Sequence, residues 1–120
     1  MKVENLIARA LVTADPNETA EIIEERMADL GLHALPVVDE MGVPVGIVTS
    51  TDLDPNTPKD TTVSELMGDQ IFEIHPDDTA KDAAKLMRDQ GTHHLVVTES
   101  ERAVGVVSSF DLLRVIEEEL

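Results

Sequence analysis

The spacing of the hydrophobic residues changes from helical to strand-like, and it does so twice along the chain. Two segments place apolar residues on one helical face, namely Ala20, Ile23, Met27 and Leu30 and then Ala80, Ala83, Ala84 and Met87. Each segment follows a threonine, Thr19 or Thr79, whose hydroxyl can cap a helix. Each ends at a glycine, Gly31 or Gly91, which suits a left-handed C-cap. The pattern predicts two equivalent amphipathic helices.

Runs rich in valine and isoleucine follow both helices. The first copy has 33–39 and 43–49, joined by a turn at Met41 and Gly42, and the second has 93–98 and 103–108. Such runs, separated by a short polar turn, are typical of strand hairpins. Short helical turns are predicted earlier in each copy, at 3–8 and 63–68, followed by short apolar segments at 11–13 and 71–74. The predicted fold class is α/β (α+β), with a β-α-β-β order in each half.

The two copies diverge after the second strand of the hairpin. Phe110 to Leu120 predicts a final helix in the second copy, whereas Asp54 and Pro55 cut that helix short in the first. A shift of sixty positions superposes the two halves as far as Val37 on Val97. Beyond the hairpin turn the shift is fifty-nine, so one residue is missing from the second turn. We therefore predict repeat 1 at 1–53, a linker at 54–62 and repeat 2 at 63–120.

The composition narrows the class of partner. Twenty-five acidic and nine basic residues give a formal charge of −16, which disfavours nucleic acid and anionic membranes as partners. This acidity, with little lysine, resembles proteins of extreme halophiles, in which concentrated salt screens self-repulsion. The chain has no cysteine and no apolar run long enough to span a bilayer. We expect a soluble, cytoplasmic protein.

The ordered pattern as a whole carries a family resemblance. The segments PNETAEIIEERMADLGLHALPVVDEMGVPVGIVTSTDL and PDDTAKDAAKLMRDQGTHHLVVTESERAVGVVSSFDL resemble tandem cystathionine β-synthase (CBS) domains, the pair known as a Bateman module. The resemblance implies two β-α-β-β-α repeats, related by pseudo-two-fold symmetry and packed through their sheets. It also implies clefts for adenosine-containing ligands.

The resemblance assigns a ribose-binding role to two aspartates, Asp52 and Asp111. A carboxylate at this position can accept hydrogen bonds from a ribose diol. Three positions earlier stand the hydroxyl residues Thr49 and Ser108, the latter followed by Ser109. Serine, threonine and aspartate before a helix are also the residues that ordinary N-capping uses. Capping is therefore the alternative interpretation of these side chains.

Further ligand contacts are implied at positions that face phosphate or adenine in the family. His33, His93 and His94 begin equivalent strands and would face ligand phosphates, with a partly buried structural histidine as the alternative. Arg114, one turn after Asp111, could support a phosphate, and Pro55 takes its place in the first copy. We expect the site at Asp111 to be the stronger one for this reason.

The adenine slot is assigned to residues for which core packing is an alternative explanation. Ala14 and Ile74 match family positions that line the slot, and Thr62 is a lesser candidate. No set of histidines and carboxylates has convincing metal-ligand spacing, so no metal site is predicted.

These residues indicate a regulatory, non-enzymatic module that senses an adenosine ligand and reports its occupancy to a partner protein. The sequence leaves AMP, ADP, ATP, S-adenosylmethionine and NAD open as ligands, and no cofactor is required. The resemblance also implies a homodimer formed through helices such as 110–120. One alternative is a ligand-free structural dimerisation module with degenerate clefts; another is an enzyme acting on nucleotides, although no nucleophile with an adjacent base is evident.

Overall fold

The computed structural model describes all residues from Met1 to Leu120, and they form two compact units. The central unit consists of Val12–Ile71. The terminal unit combines Met1–Leu11 with Phe72–Leu120. Each unit therefore contains the long helix and hairpin of one repeat together with the short helical turn that begins the other repeat. The two halves exchange these lead-in segments.

The central unit is built on one hairpin and one long helix. Its elements are α1 (Ala20–Leu30), β1 (Ala34–Val38), β2 (Pro44–Thr49), a 3-10 turn (Ser50–Asp52) and α2 (Val63–Leu66). β1 and β2 are antiparallel, with Ala34 opposite Thr49. Ala14 adds a parallel bridge to Val37 on the other edge of β1.

The terminal unit repeats this plan with an additional edge strand and a longer final helix. The first strand expected in each half therefore forms only in the second copy, whereas the first copy has the single bridge of Ala14 in its place. It contains a 3-10 turn (Val3–Leu6), β3 (Glu73–Ile74), α3 (Ala80–Gln90), β4 (His94–Glu99), β5 (Arg102–Ser108) and α4 (Ser109–Glu119). The sheet order is β3-β4-β5, with β3 parallel to β4 and β4 antiparallel to β5. The predicted mixed α/β fold of two similar copies is confirmed, and so is the loss of the final helix from the first copy.

Each unit has its own apolar core. In the central unit, Ile23 and Met27 of α1 pack with buried residues of β1, β2 and α2. In the terminal unit, Ala83 and Met87 of α3 pack with β4, β5 and the Val3–Leu6 turn. The lead-in turns supply Val63 to one core and Val3 and Leu6 to the other, so the exchange contributes directly to core packing. None of the helices is long and apolar enough to cross a membrane.

The residue that the second copy lacks is missing from its hairpin turn, as predicted. Val37 pairs with Gly46 in the first hairpin and Val97 with Gly105 in the second, which are the shifts of sixty and fifty-nine. In the shorter second turn, Ser100 and Glu101 both adopt positive φ, 51° and 69°. Two consecutive residues of this kind give the tight turns that match strand twist.

Helix termini follow the prediction with one exception. Gly31 and Gly91 are left-handed C-caps, with φ of 66° and 64°. Thr79 caps α3 by accepting a hydrogen bond from the amide of Asp82 at 3.1 Å. Thr19 occupies the equivalent position before α1, but its hydroxyl makes no capping bond. The expectation of two threonine caps is therefore correct only for the second copy.

Candidate functional site

The end of β5 places a hydroxyl and a carboxylate side by side. Oδ2 of Asp111 accepts hydrogen bonds from the amide of Ser108 at 2.7 Å and from its hydroxyl at 3.0 Å. The amide of Asp111 in turn donates to the hydroxyl of Ser108 at 3.3 Å. This reciprocal capping arrangement starts α4 and fixes the rotamer of Asp111.

The end of β2 has nearly the same arrangement on a much shorter turn. Oδ2 of Asp52 accepts hydrogen bonds from the amide of Thr49 at 2.8 Å and from its hydroxyl at 3.1 Å. The Thr49 hydroxyl also lies 2.8 Å from that of Thr51. Capping therefore accounts for one carboxylate oxygen in each copy, and the other oxygen distinguishes the two sites.

The second oxygen of each aspartate has a different environment. Oδ1 of Asp111 accepts a hydrogen bond from Nη1 of Arg114 at 3.1 Å, and Nη2 of the same arginine donates to the carbonyl of Leu6 at 3.3 Å. All hydrogen bonds of the Asp52 carboxylate fall on Oδ2, which leaves Oδ1 as an acceptor. The sequence predicted Arg114 as a phosphate contact and missed its bond to Asp111.

Histidines lie next to both aspartate sites through backbone contacts. The carbonyl of His33 accepts from the amide of Ser50, and that of His93 accepts from the amide of Ser109, both at 2.9 Å. Nδ1 of His93 is also 3.4 Å from the hydroxyl of Ser109.

His94 is half-buried and pairs with Ser108 across the hairpin. The structure thus brings His93, His94, Ser108, Ser109, Asp111 and Arg114 together in the terminal unit. In the central unit it brings His33, Thr49 and Asp52 together.

The residues assigned to adenine lie further along the sheets. Ala14 is buried and bridges to Val37 of β1. Val37 lies three residues along β1 from Ala34, the residue that pairs with Thr49. At about 3.3 Å per strand residue this is roughly 10 Å from the end that bears Asp52. Ile74 is buried in the core of the terminal unit, opposite Val97. Core packing accounts for both side chains.

Thr62 is the residue immediately before α2. Its hydroxyl lies 3.1 Å from the hydroxyl of Ser64, and its backbone bridges to Thr19. These contacts place Thr62 beside the start of α1 in the central unit.

An ion pair absent from the sequence predictions stabilises the loop before α1. Nη1 of Arg26 donates to Oε1 of Glu18 at 2.8 Å and to the carbonyl of Thr13 at 3.0 Å. The hydrogen bonds that Arg26 donates to the Glu18 carboxylate hold the pKa of Glu18 below its ordinary value and raise the pKa of Arg26. The pair fixes the loop that carries Ala14. The second copy has Asp78 and Leu86 at the corresponding positions, so this ion pair exists in one unit only.

Charge is divided unequally between the units. The central unit has thirteen acidic and two basic residues, a formal charge of −11, and the terminal unit has twelve and seven, a charge of −5. A surface concavity of the central unit is lined by Asp15, Pro16, Asn17, Asp39, Glu40 and Met41. Three carboxylates make that concavity unsuited to an anion, and it includes none of the predicted site residues.

Comparison with known proteins assigns both copies to the same family. The family model described as CBS domain matches residues 3–54 and 63–118. An uncharacterized protein of Methanopyrus kandleri is 28% identical over 122 residues, which cover 96% of this chain and 62% of that protein. The inosine-5'-monophosphate dehydrogenase of Halobacterium salinarum is 31% identical over 106 residues, 86% of this chain and 21% of the enzyme. The chain therefore spans less than two thirds of the length of these relatives.

Among solved structures, the CBS domain pair of protein MJ0100 matches with a TM-score of 0.91 and 25% identity. The match covers 100% of this chain and 98% of that one. That crystal structure is of a complex with 5'-methylthioadenosine and S-adenosyl-L-methionine.

Proposed function

Because the chain belongs to the CBS domain family and contains two CBS domains, we propose that it is a regulatory module that binds an adenosine-containing ligand. Ligand occupancy would be transmitted to a partner protein, and the module itself would have no catalytic role. Any transmission requires that the ligand bind two arrangements of the protein unequally. One observation carries the proposal: the repeated hydroxyl and carboxylate at the ends of β2 and β5, with Oδ1 of Asp52 left as an acceptor.

Each predicted residue has a role in this proposal. The carboxylates of Asp52 and Asp111 accept from the ribose hydroxyls, and the hydroxyls of Thr49 and Ser108 hold them in place. The residues near phosphate are His33, His93, His94, Ser109 and Arg114. On the adenine side the resemblance assigns Ala14, Ile74 and Thr62; because the side chains of Ala14 and Ile74 are buried in the cores, their contribution would be through the backbone.

The ligand class draws support from the structural neighbour. The two molecules bound to the MJ0100 domain pair share adenine and a ribose diol, and they differ at the 5' substituent. A carboxylate that recognises the diol would accept either of them. AMP, ADP, ATP, S-adenosylmethionine and NAD all carry this diol and are the candidate ligands here.

The acidic surface defines the conditions in which the module would work. At a formal charge of −16, phosphate-bearing ligands are repelled at low ionic strength. At 1 M salt the Debye length falls to about 3 Å, so only the local groups of the site matter. We propose a cytoplasm with concentrated salt, as in extreme halophiles, as the setting of this protein.

Calorimetric titration of the five candidate ligands in 1 M KCl tests the proposal. We expect at least one to bind, and Asp52→Ala or Asp111→Ala to weaken it by about tenfold or more, the scale of a hydrogen bond to a charged group. Asp69→Ala is the matched control, because this exposed aspartate of the central unit lies in neither site. Unchanged affinity in both site variants would contradict the ribose assignment.

A structural dimerisation module is the alternative, and the surface of α4 favours it. Phe110, Leu113 and Ile116 are 77%, 57% and 53% exposed, which is unusual for large apolar side chains at helical spacing. We propose that this face forms a homodimer in either case. Sedimentation of the wild type and of Leu113→Glu tests this, with a monomer expected for the variant. Dimerisation without binding of any candidate ligand would favour the structural function.

A further inference from the structure

The two sites share the hydrogen bonds between hydroxyl residue and aspartate but differ in whether a positively charged side chain contacts the aspartate. In the terminal unit Arg114 donates a hydrogen bond to Oδ1 of Asp111, the carboxylate oxygen that takes no part in capping α4. The Asp111 side chain is only 13% exposed, and that of Arg114 is 43% exposed. A ribose diol must therefore displace a guanidinium from a largely buried carboxylate in order to bind there.

The equivalent position in the central unit has no such group. Pro55 corresponds to Arg114 at the shift of fifty-nine, and its side chain has no hydrogen-bond donor. The central unit has only two basic residues, of which Arg26 is paired with Glu18. Oδ1 of Asp52 is thus open in a unit with a formal charge of −11.

From this difference, and resting on the proposed function, we propose that Arg114 is a specificity-determining latch that makes the two sites select ligands by charge. A ligand with a phosphate offers the guanidinium a bidentate partner, so Arg114 moves to the phosphate and frees Oδ1 of Asp111 for the diol. A neutral nucleoside offers no such exchange and binds weakly at Asp111. The open carboxylate of Asp52 accepts the neutral nucleoside, while the surrounding negative charge disfavours phosphate.

The latch also gives the terminal site a route of transmission. Nη2 of Arg114 holds the carbonyl of Leu6, at the end of the lead-in turn Val3–Leu6. When Arg114 moves to a phosphate, this bond is broken as well. A phosphorylated ligand would therefore change the contacts of the lead-in turn, whereas a neutral ligand at Asp52 would leave them intact.

Adenosine and AMP form the matched ligand pair for the test, because they differ only in the phosphate. In Asp52→Asn only the site at Asp111 keeps its carboxylate, and in Asp111→Asn only the site at Asp52 keeps it. Asparagine is used because it preserves the shape of the side chain and one oxygen that can cap the helix. With Asp52→Asn we expect AMP to bind about tenfold or more tightly than adenosine, as for a charged hydrogen bond. With Asp111→Asn we expect no preference for AMP.

Adding Arg114→Ala to Asp52→Asn should move the two affinities in opposite directions. AMP should bind about tenfold more weakly, and adenosine about two- to fivefold more tightly, the scale of an ion pair that is partly exposed. The control is Arg88→Ala, which removes the same charge from an exposed position on α3 and should leave the ratio within about twofold.

Three results would overturn the latch. An equal loss of both ligands would show a merely structural role for Arg114, and an unchanged ratio would show no role in selection. Loss of all binding in Asp52→Asn, with binding retained in the wild type, would show that phosphate does not open the site. Binding of another candidate ligand, but of neither adenosine nor AMP, would overturn the latch alone. Failure of the wild type to bind adenosine or any candidate ligand is the distinct result that overturns the proposed function as well.

Discussion

Gly46 and Gly105 stand at equivalent positions in the strands that lead to the two candidate sites, and packing explains why both are glycine. A Cβ on Gly46 would lie 2.6 Å from Sδ of Met67 and 2.7 Å from the carbonyl oxygen of Gly68. A Cβ on Gly105 would lie 2.7 Å from Cδ1 of Ile7. Met67 and Ile7 are themselves related by the shift of sixty, so each exchanged lead-in segment packs on the glycine of the unit that it enters.

Gly46→Ala should destabilise the protein by about 1 to 3 kcal/mol, the cost of overpacking, because a backbone oxygen cannot move aside as a side chain can. Gly68→Ala is the control, since its nearest heavy atom would be 4.0 Å away. Urea unfolding of both variants measures the difference. Equal losses of stability would contradict the packing argument.

At the scale of elements, α1 and α3 are equal in length but differ at their first turns. Thr79 caps α3, and Thr19 makes no capping bond. The Glu18–Arg26 pair instead ties α1 to the loop before it. Similar sequences have therefore stabilised equivalent helix starts by different interactions.

Thr79→Ala should cost about 1 kcal/mol, the usual value of a lost N-cap, and Thr19→Ala only a few tenths. The two substitutions are matched because they remove the same atoms from equivalent positions. Their unfolding free energies in urea check the prediction. A loss at Thr19 as large as that at Thr79 would be inconsistent with the observed caps.

The Glu18–Arg26 pair predicts a pH dependence of stability. Because its folded pKa is lowered, Glu18 stabilises the protein above its ordinary pKa of 4.5, and this contribution is lost as the pH falls through the folded value. Glu18→Gln should therefore cost about 1 kcal/mol at pH 7, the upper end for partly exposed pairs, and almost nothing at strongly acidic pH. Glu24→Gln, at an exposed position of α1, is the control for net charge. A cost that is equal at both pH values would exclude the ion pair as the cause.

Most helices and strands could be predicted from the sequence because the same residue pattern occurs in both copies. The hairpins and long helices lie within one residue or so of their predicted bounds, since Gly31 and Gly91 and the shortened turn near Ser100 fix them. The exchange of lead-in segments was not predictable, because pseudo-symmetric copies place Ile7 and Met67 equally well in either unit. The partner of Arg114 was not predictable either, since its long side chain reaches both a ligand phosphate and Asp111.

At the scale of the whole molecule, negative charge opposes compaction everywhere and most strongly in the central unit. The nine basic residues are already counted in the formal charge of −16, so the acidic residues outnumber the positive charges available to pair with them. Added salt shortens the Debye length from about 10 Å at 0.1 M to about 3 Å at 1 M. Self-repulsion should therefore be largely screened in concentrated salt.

The midpoint of urea unfolding should rise between 0.1 M and 1 M KCl. Replacing Glu117, Glu118 and Glu119 by glutamine should make this dependence shallower, because these exposed residues contribute three charges and no ion pairs. Urea is the suitable denaturant because it adds no ions. A midpoint independent of KCl would contradict the role assigned to the charge.

A carboxylate that recognises the ribose diol should distinguish AMP from 2'-deoxy-AMP, because the two molecules differ in one ribose hydroxyl. Calorimetric titration of both nucleotides in 1 M KCl measures this difference. We expect the deoxy form to bind about tenfold more weakly, and the difference to vanish when Asp52 and Asp111 are both replaced by alanine. Equal affinity of the wild type for the two nucleotides would exclude recognition of the diol by these carboxylates.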